Sequence, residues 1–285
     1  MAPDDSPSPR PVWVDTDLAL GARRGDVDDG FALSAVLCSP RARLLGISTV
    51  SGNAPADVAY ACTADLLAAV GARYPLLQGA SRAGQDTEAA EAISALPSGT
   101  AVLALGPLTN IAAALARDPR LAERITVYLV GGNLTSRGRF PPVWPHEFNL
   151  AIDPAAAQAV FDAPMPRRVH PLDACGKLLV SARDLLDIAA TSALGAFLVQ
   201  NSLRWWLLSP LRLRALRFPL WDLAPALDFL GLLPATTTTH HVRLHGRGLL
   251  RPDPTAPQTQ FIHSLNRSAA LQNFRALLRQ PAPAK

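Results

Sequence analysis

A chain of 285 residues, 49% of them hydrophobic and 18% charged, carries enough apolar material to bury a large core. This excludes intrinsic disorder and fits one sizeable α/β domain. The formal net charge of +4 comes from scattered arginines without Lys/Arg blocks or an aromatic-interleaved basic stripe, so nothing favours nucleic acid as a partner.

The first eleven residues, MAPDDSPSPRP, hold acids and prolines where a signal peptide has a basic and then an apolar region. No later window approaches ~18 uncharged apolar residues. The expectation is a cytoplasmic protein with no membrane partner. Cys38, Cys62 and Cys175 lie far apart without CxxC spacing, as packed thiols of a reduced compartment do. In chain order, Val12–Val14 reads as a first strand and Asp28–Cys38 as a helix. Leu44–Val50, Pro75–Leu77, Ala101–Leu105, Ile125–Val130 and Arg167–His170 follow as strands, with helical spacing over Pro55–Val70, Pro107–Ala116 and Pro154–Phe161. This alternation predicts an open, mostly parallel sheet flanked by helices, a Rossmann-like arrangement. From Ser181 to Asp228 the pattern turns helical and Leu/Arg-rich. TTTTHHVRL then reads as a returning strand and Ser264–Leu278 as a closing helix. The expectation is a single domain over residues 11–279 with a helical C-terminal portion, and loose tails at 1–10 and 280–285.

Ligands of such sheets sit at the carboxyl ends of the strands. After the first predicted strand come Asp15, Asp17, Asp26, Asp28 and Asp29, after the second Asn53, and after the fifth Gly131, Gly132 and Asn133; Glu147 and Asn149 follow in HEFN. So many carboxylates repel one another unless a cation neutralises them, and hard oxygen donors point to Ca2+ or Mg2+ rather than zinc. Asp26 is expected to be a helix N-cap, since an apolar periodic run follows it.

These residues carry a resemblance. DTD and DVDDGFAL look like the two halves of the N-terminal fingerprint of the inosine-uridine-preferring nucleoside hydrolases. GISTVSGN, LALGPLTNIAAAL, VGG, EFNLAIDPAAAQAVF and WDLAPAL match further motifs in the family's order, from about Val12 to Leu227. The resemblance implies the nucleoside hydrolase fold and hydrolysis of the N-glycosidic bond of ribonucleosides to free base and ribose. One Ca2+ per subunit would be held by Asp17, Asp29, Asp222 and the backbone carbonyl of Leu105. Asp17 would be the general base and Asp15 would buttress the metal loop. Asp28, Glu147 and Asn149 would hold ribose hydroxyls, and Asn53 and Asn133 would line the substrate side. A water beside Ca2+ loses its proton more readily, and anionic groups around the sugar favour an oxocarbenium-like transition state. A homodimer or homotetramer taking a small-molecule ribonucleoside is the expected form.

The chain departs from the family pattern in two places. Leu18–Val27 lengthens the connection between Asp17 and Asp28, which leaves the alignment of Asp26 against Asp28 open, and places Arg23 and Arg24 in the insert as solvated charges or contacts to an anionic substrate group. Before the late metal aspartate stands Trp221, where the inosine-uridine type has a histidine and the purine-preferring branch a tryptophan. An indole cannot protonate a leaving base but can stack on a purine, so purine ribonucleosides are the expected substrates and Trp221 a catalytic and substrate-binding candidate. Trp144, Trp205 or Trp206 would have to supply a second aromatic, although Trp205–Trp206 also reads as an apolar helix face. His240 and His241 read as structural, which leaves His146 beside Glu147 as the histidine near the site. A non-catalytic ribose- or nucleoside-binding homologue, or a hydrolase of a modified or pyrimidine ribonucleoside, is the alternative. An aspartate-based phosphotransferase is disfavoured, because Ala19 stands where it needs a hydroxyl and Lys177 and Lys285 are the only lysines.

Overall fold

The structure is a computed structural model and describes residues 8–22, 25–132, 147–208, 217–246 and 248–280. Its centre is a nine-stranded sheet in the order β10-β9-β11-β6-β5-β4-β1-β2-β3. The strands are β1 (Arg10–Thr16), β2 (Ala42–Thr49), β3 (Leu76–Gln78), β4 (Thr100–Ala104), β5 (Ile125–Val130), β6 (Arg167–His170), β9 (Ala235–His245), β10 (Leu249–Pro252) and β11 (Gln258–Leu265). From β11 through to β3 every neighbouring pair is parallel, while β9 lies antiparallel to both β11 and β10. The mostly parallel sheet flanked by helices is therefore the observed architecture.

The central strands read as nearly unbroken apolar runs because both faces are covered. Side chains alternate between the faces with period two, and each face has its own core. Val12, Val14, Leu103, Tyr128 and Val130 join one cluster, whereas Trp13, Val102, Val127 and Leu129 join the other. The first face is covered by α1 (Asp28–Leu37), α2 (Ala56–Ala69), α9 (Ala193–Leu208), α10 (Leu223–Phe229) and α11 (Arg267–Leu278). The second face is covered by α3 (Glu88–Ser94), α4 (Thr109–Arg117) and α6 (Pro154–Asp162), with α5 (Phe148–Ile152) beside them. Every residue of α1 is buried, acidic Asp28 and Asp29 included, since α1 is enclosed by the sheet, α10 and α11.

The chain runs outward from β1 to β2 and β3, then crosses back to lay β4 on the other side of β1. That reversal opens a crevice at the carboxyl ends of β1 and β4, the place where open α/β sheets bind ligands. No helix among the described residues is long and apolar enough to cross a membrane.

The C-terminal part differs from the sequence expectation. After α7 (Leu172–Cys175), the strands β7 (Leu179–Ser181) and β8 (Arg217–Pro219) pair antiparallel and bracket the helical stretch of α8 (Ala182–Ala189) and α9. The chain then returns to the main sheet with the run β9–β10–β11. The closing helix begins at Arg267 rather than Ser264, because the Asn266 side chain accepts from the Ala269 N–H and caps it there. Helix α3 was not expected either; Thr87 starts it by accepting from the Ala90 N–H.

Candidate active site

The aspartate-rich stretch gathers at the crevice between β1 and β4. Asp15 is fully buried, and its Oδ1 accepts from Ser48 Oγ at 2.5 Å and from Asn110 Nδ2 at 2.8 Å. Thr16 points to the other side, where its hydroxyl donates to Asp29 Oδ1. Asp17 follows the strand and is held by Asn53, whose backbone N–H donates to Oδ2 at 2.7 Å and whose Nδ2 donates to Oδ1 at 3.2 Å. Gly52 beside it has no room for a side chain, since a Cβ there would overlap Asp17 Oδ2.

Helix α1 brings Asp28 and Asp29 into the site, and the N-terminus of α10 brings Asp222. One carboxylate oxygen from each of these three buried residues lies within 4.8 Å of the others. The backbone N–H of Asp222 donates to Asp28 Oδ2 at 3.0 Å. Asp28 thus belongs to the tight trio, whereas both oxygens of Asp17 are turned to Asn53. Asp26 is not the N-cap of α1: Val27 occupies that position without a side-chain cap, and Asp26 Oδ1 accepts from the Val27 N–H at 2.7 Å. At the start of the inserted connection, Leu18, Ala19 and Leu20 are buried, and Leu18 and Leu20 join the core, as apolar side chains do.

Burial pushes the Asp15 and Asp29 carboxyls up to about 7, with the negative charge of Asp28 adding to the rise at Asp29. Burial likewise raises Asp17 and Asp222 well above the usual carboxylate range, and neighbouring aspartates push both further. Such a cluster is costly when ionised without a counter-charge. Asp29 Oδ2 is buried without a hydrogen-bond partner among the described residues. These residues fit a hard divalent cation, which takes carboxylate oxygens and offsets their repulsion.

Glu147 stands at the N-cap of α5 and accepts from the Leu150 N–H at 2.6 Å and the Asn149 N–H at 3.1 Å. Burial nevertheless pushes its carboxyl up to about 7. Asn149 Nδ2 donates to the Leu105 carbonyl at 2.8 Å, which joins α5 to the end of β4. The Leu105 N–H in turn donates to the Asp15 carbonyl at 2.8 Å. Asn110 is the site residue that sequence reasoning left without a role, although its motif PLTN was in view; a side chain that works through hydrogen bonds to two other strands leaves no local spacing signal.

Trp221, next to Asp222, is half-buried against the larger core, and a Cβ on Gly176 of the segment after α7 would lie 3.5 Å from its Nε1. Trp205 lies edge-on to Phe218 with ring centroids 4.9 Å apart, and Trp206 packs against the same core, so both act as the apolar helix face. His241 bonds the Ala256 carbonyl at 2.7 Å and His240 lies against Phe261, both structural. Asn133, Trp144, His146, Arg23 and Arg24 lie outside the described residues. The described cysteines are all free thiols.

Comparison with known proteins gives the family. Residues 12–257 match the family model described as inosine-uridine preferring nucleoside hydrolase. The chain is 29% identical over 220 residues to the non-specific ribonucleoside hydrolase RihC of Klebsiella pneumoniae (strain 342), covering 66% of this chain and 69% of that protein. Its fold is similar to that of a plant nucleoside hydrolase, PpNRh1, with a TM-score of 0.82 at 21% identity over 96% of this chain and 100% of the other. It is also similar to a purine-preferring ribonucleoside hydrolase from Gardnerella vaginalis, with a TM-score of 0.78 at 20% identity over 95% and 99% of the two chains. With the buried aspartates of both DTD and DVDD at the switch point of this sheet, the chain belongs to the inosine-uridine preferring nucleoside hydrolase family and is a nucleoside N-glycosidase.

Proposed function

We propose that the protein hydrolyses purine ribonucleosides to base and ribose with the help of one Ca2+ ion. The observation that carries this reading is the buried trio Asp28, Asp29 and Asp222 beside Asp17 in the crevice between β1 and β4. Asp29, Asp222, Asp17 and a free lone pair of the Leu105 carbonyl would hold the ion. When bound, it supplies a counter-charge to the carboxylates and acidifies water at the site.

The chain's own groups do the rest. Asp17, fixed by Asn53, takes the proton of the attacking water. Asp28 is fixed by the Asp222 N–H and has a lone pair left for a ribose hydroxyl, with Glu147, Asn149 and Asn53 completing the sugar side. The negative groups around the ribose favour the positive charge that builds on the sugar as the bond breaks. Trp221 stacks on the leaving base, which supports a purine with its larger π-face. The preference rests on Trp221 alone, since the likeness to the purine-preferring structure is one of fold.

The test is reducing-sugar release from inosine, guanosine, adenosine and uridine, each with and without a chelator. Release from the purines that is abolished by chelation and restored by Ca2+ is expected. Tight nucleoside binding without release would replace the hydrolase reading with that of a binding homologue, and uridine turned over faster than inosine would reject the purine assignment.

A further inference from the structure

The crevice is underpinned by one carboxamide. Asn110, fully buried at the start of α4, donates through Nδ2 to Asp15 Oδ1 at 2.8 Å and to the Thr49 carbonyl at 3.0 Å. Its Oδ1 accepts from the Ala80 N–H at 2.9 Å. One side chain therefore binds the end of β1, the end of β2 and the segment after β3. Gly79 makes the room: a Cβ there would sit 2.4 Å from Asn110 Nδ2 and 2.2 Å from the Thr49 carbonyl oxygen.

We propose that Asn110 is a positioning residue of the active site, which acts through Asp15 to set the strand end from which Thr16 and Asp17 reach the acidic cluster; this inference rests on the hydrolase reading above. Asp15 cannot do this unaided. Its Oδ1 has Ser48 as a second donor, but Ser48 Oγ also accepts from Trp13 Nε1 at 2.8 Å and so belongs to the packing of the sheet. The Asp15 Oδ2 atom is buried without a partner among the described residues, so loss of the Asn110 donor leaves a buried carboxyl with a single bond. A carboxyl so released shifts β1 at the position adjoining Thr16, which donates to Asp29, and two before Asp17. The Leu105 N–H to Asp15 carbonyl bond carries the same displacement to the Leu105 carbonyl and on to Asn149. The neighbouring Thr109 is the natural control, since its hydroxyl turns away to Asp153 Oδ2 at 2.8 Å at the N-cap of α6.

The experiment compares Asn110→Ala with Thr109→Val on the full chain. Calorimetric titration with Ca2+ reads the site without substrate, thermal melting reads the fold, and inosine kinetics read kcat and KM. Asn110→Ala should lose about 10- to 100-fold in Ca2+ affinity and a comparable factor in kcat, with KM moved less. Thr109→Val should keep both within about twofold despite a lower Tm. Asn110→Ala and Asp15→Asn combined should lose no more than the worse single variant, as residues acting through one another do. If Asn110→Ala does not fold, Asn110→Ser, which keeps a shorter donor, takes its place. Ca2+ affinity and kcat within about twofold of the parent, at temperatures where the variant is folded, would overturn the proposal. A parent that binds Ca2+ but releases no sugar would sink the hydrolase reading instead, and the titration would still decide the role of Asn110.

Discussion

The backbone N–H of Asp222 donates to Asp28 Oδ2 at 3.0 Å, across a separation of 194 positions in the chain. Asp28 thereby locks the N-terminus of α10 against that of α1. Asp28→Ala should lower both ribose affinity and turnover, because it removes a hydroxyl partner and releases Asp222. Asp17→Asn keeps the bond from the Asn53 N–H but loses the proton acceptor, so it should reduce kcat by at least ~100-fold with ribose affinity little changed. Ribose titration beside inosine kinetics separates the two; equal mild losses in both variants would shift the role of base to another carboxylate, with Asp26 the next to replace.

Metal content and pH are linked through the same cluster. In the cation-free fold, Asp15 and Asp29 bind protons up to about 7, against an ordinary value of 3.8 in the unfolded chain. Groups raised on folding stabilise the fold below their unfolded value, and this contribution is lost as pH rises through the folded one. Chelated protein should therefore lose stability between about pH 4 and pH 7. On the proposed ligand set, protons and Ca2+ would compete for carboxylate oxygens, so added Ca2+ should raise Tm more at pH 8 than at pH 5. Equal increments at both pH values, or dialysed protein that carries no divalent metal and keeps full activity in chelator, would count against a carboxylate-held ion.

Trp221 can be separated from packing by the choice of leaving group. Trp221→Ala should lower kcat on inosine and guanosine by at least ~10-fold yet spare a riboside with an activated phenolic leaving group, which departs without help. Metal content should stay as in the parent. Equal losses on both kinds of substrate would reduce the indole to a core residue.

The first core cluster offers a check on the fold alone. Phe274 of α11 is fully buried with its ring centroid 5.9 Å from that of Phe31 on α1, the helix that carries Asp28 and Asp29. Phe274→Ala should cost about 3–5 kcal/mol in urea unfolding, the range for emptying a buried aromatic site.

How much of this could be read beforehand depended on whether the signal was local. The inner strands were legible because burial on both faces leaves unbroken apolar runs such as ITVYLV, and Ile125–Val130 and Arg167–His170 were located to the residue. The antiparallel extension was legible only in β9; β11 alternates buried and exposed residues over its first half, but polar Gln258 and Gln260 masked it, and Ser264 was read into the following helix although Asn266 is the cap. In the site, the aspartates were visible as a group, but their partition was not. That Asp28 rather than Asp17 closes the trio with Asp29 and Asp222 depends on where α10 docks, and that Val27 rather than Asp26 stands at the capping position depends on where helical geometry begins, which no local motif marks. Asn110 was invisible for the same reason, since its partners Asp15, Thr49 and Ala80 come from different strand ends.

The distance in sequence between Asp28 and Asp222 has a consequence for how the protein is made. A ribosome releases α1 long before α10, so a growing chain holds Asp28 and Asp29 without Asp222, the third member of the trio, until residues past 222 have emerged and docked. On the proposed reading, capture of the cation by the full trio would be a late event of synthesis, and an ion bound there would tie α1 to α10. On the proposed ligand set, truncations that stop short of α10 lose the Asp222 ligand and should bind the ion more weakly, so occupancy would report that α10 has docked on α1.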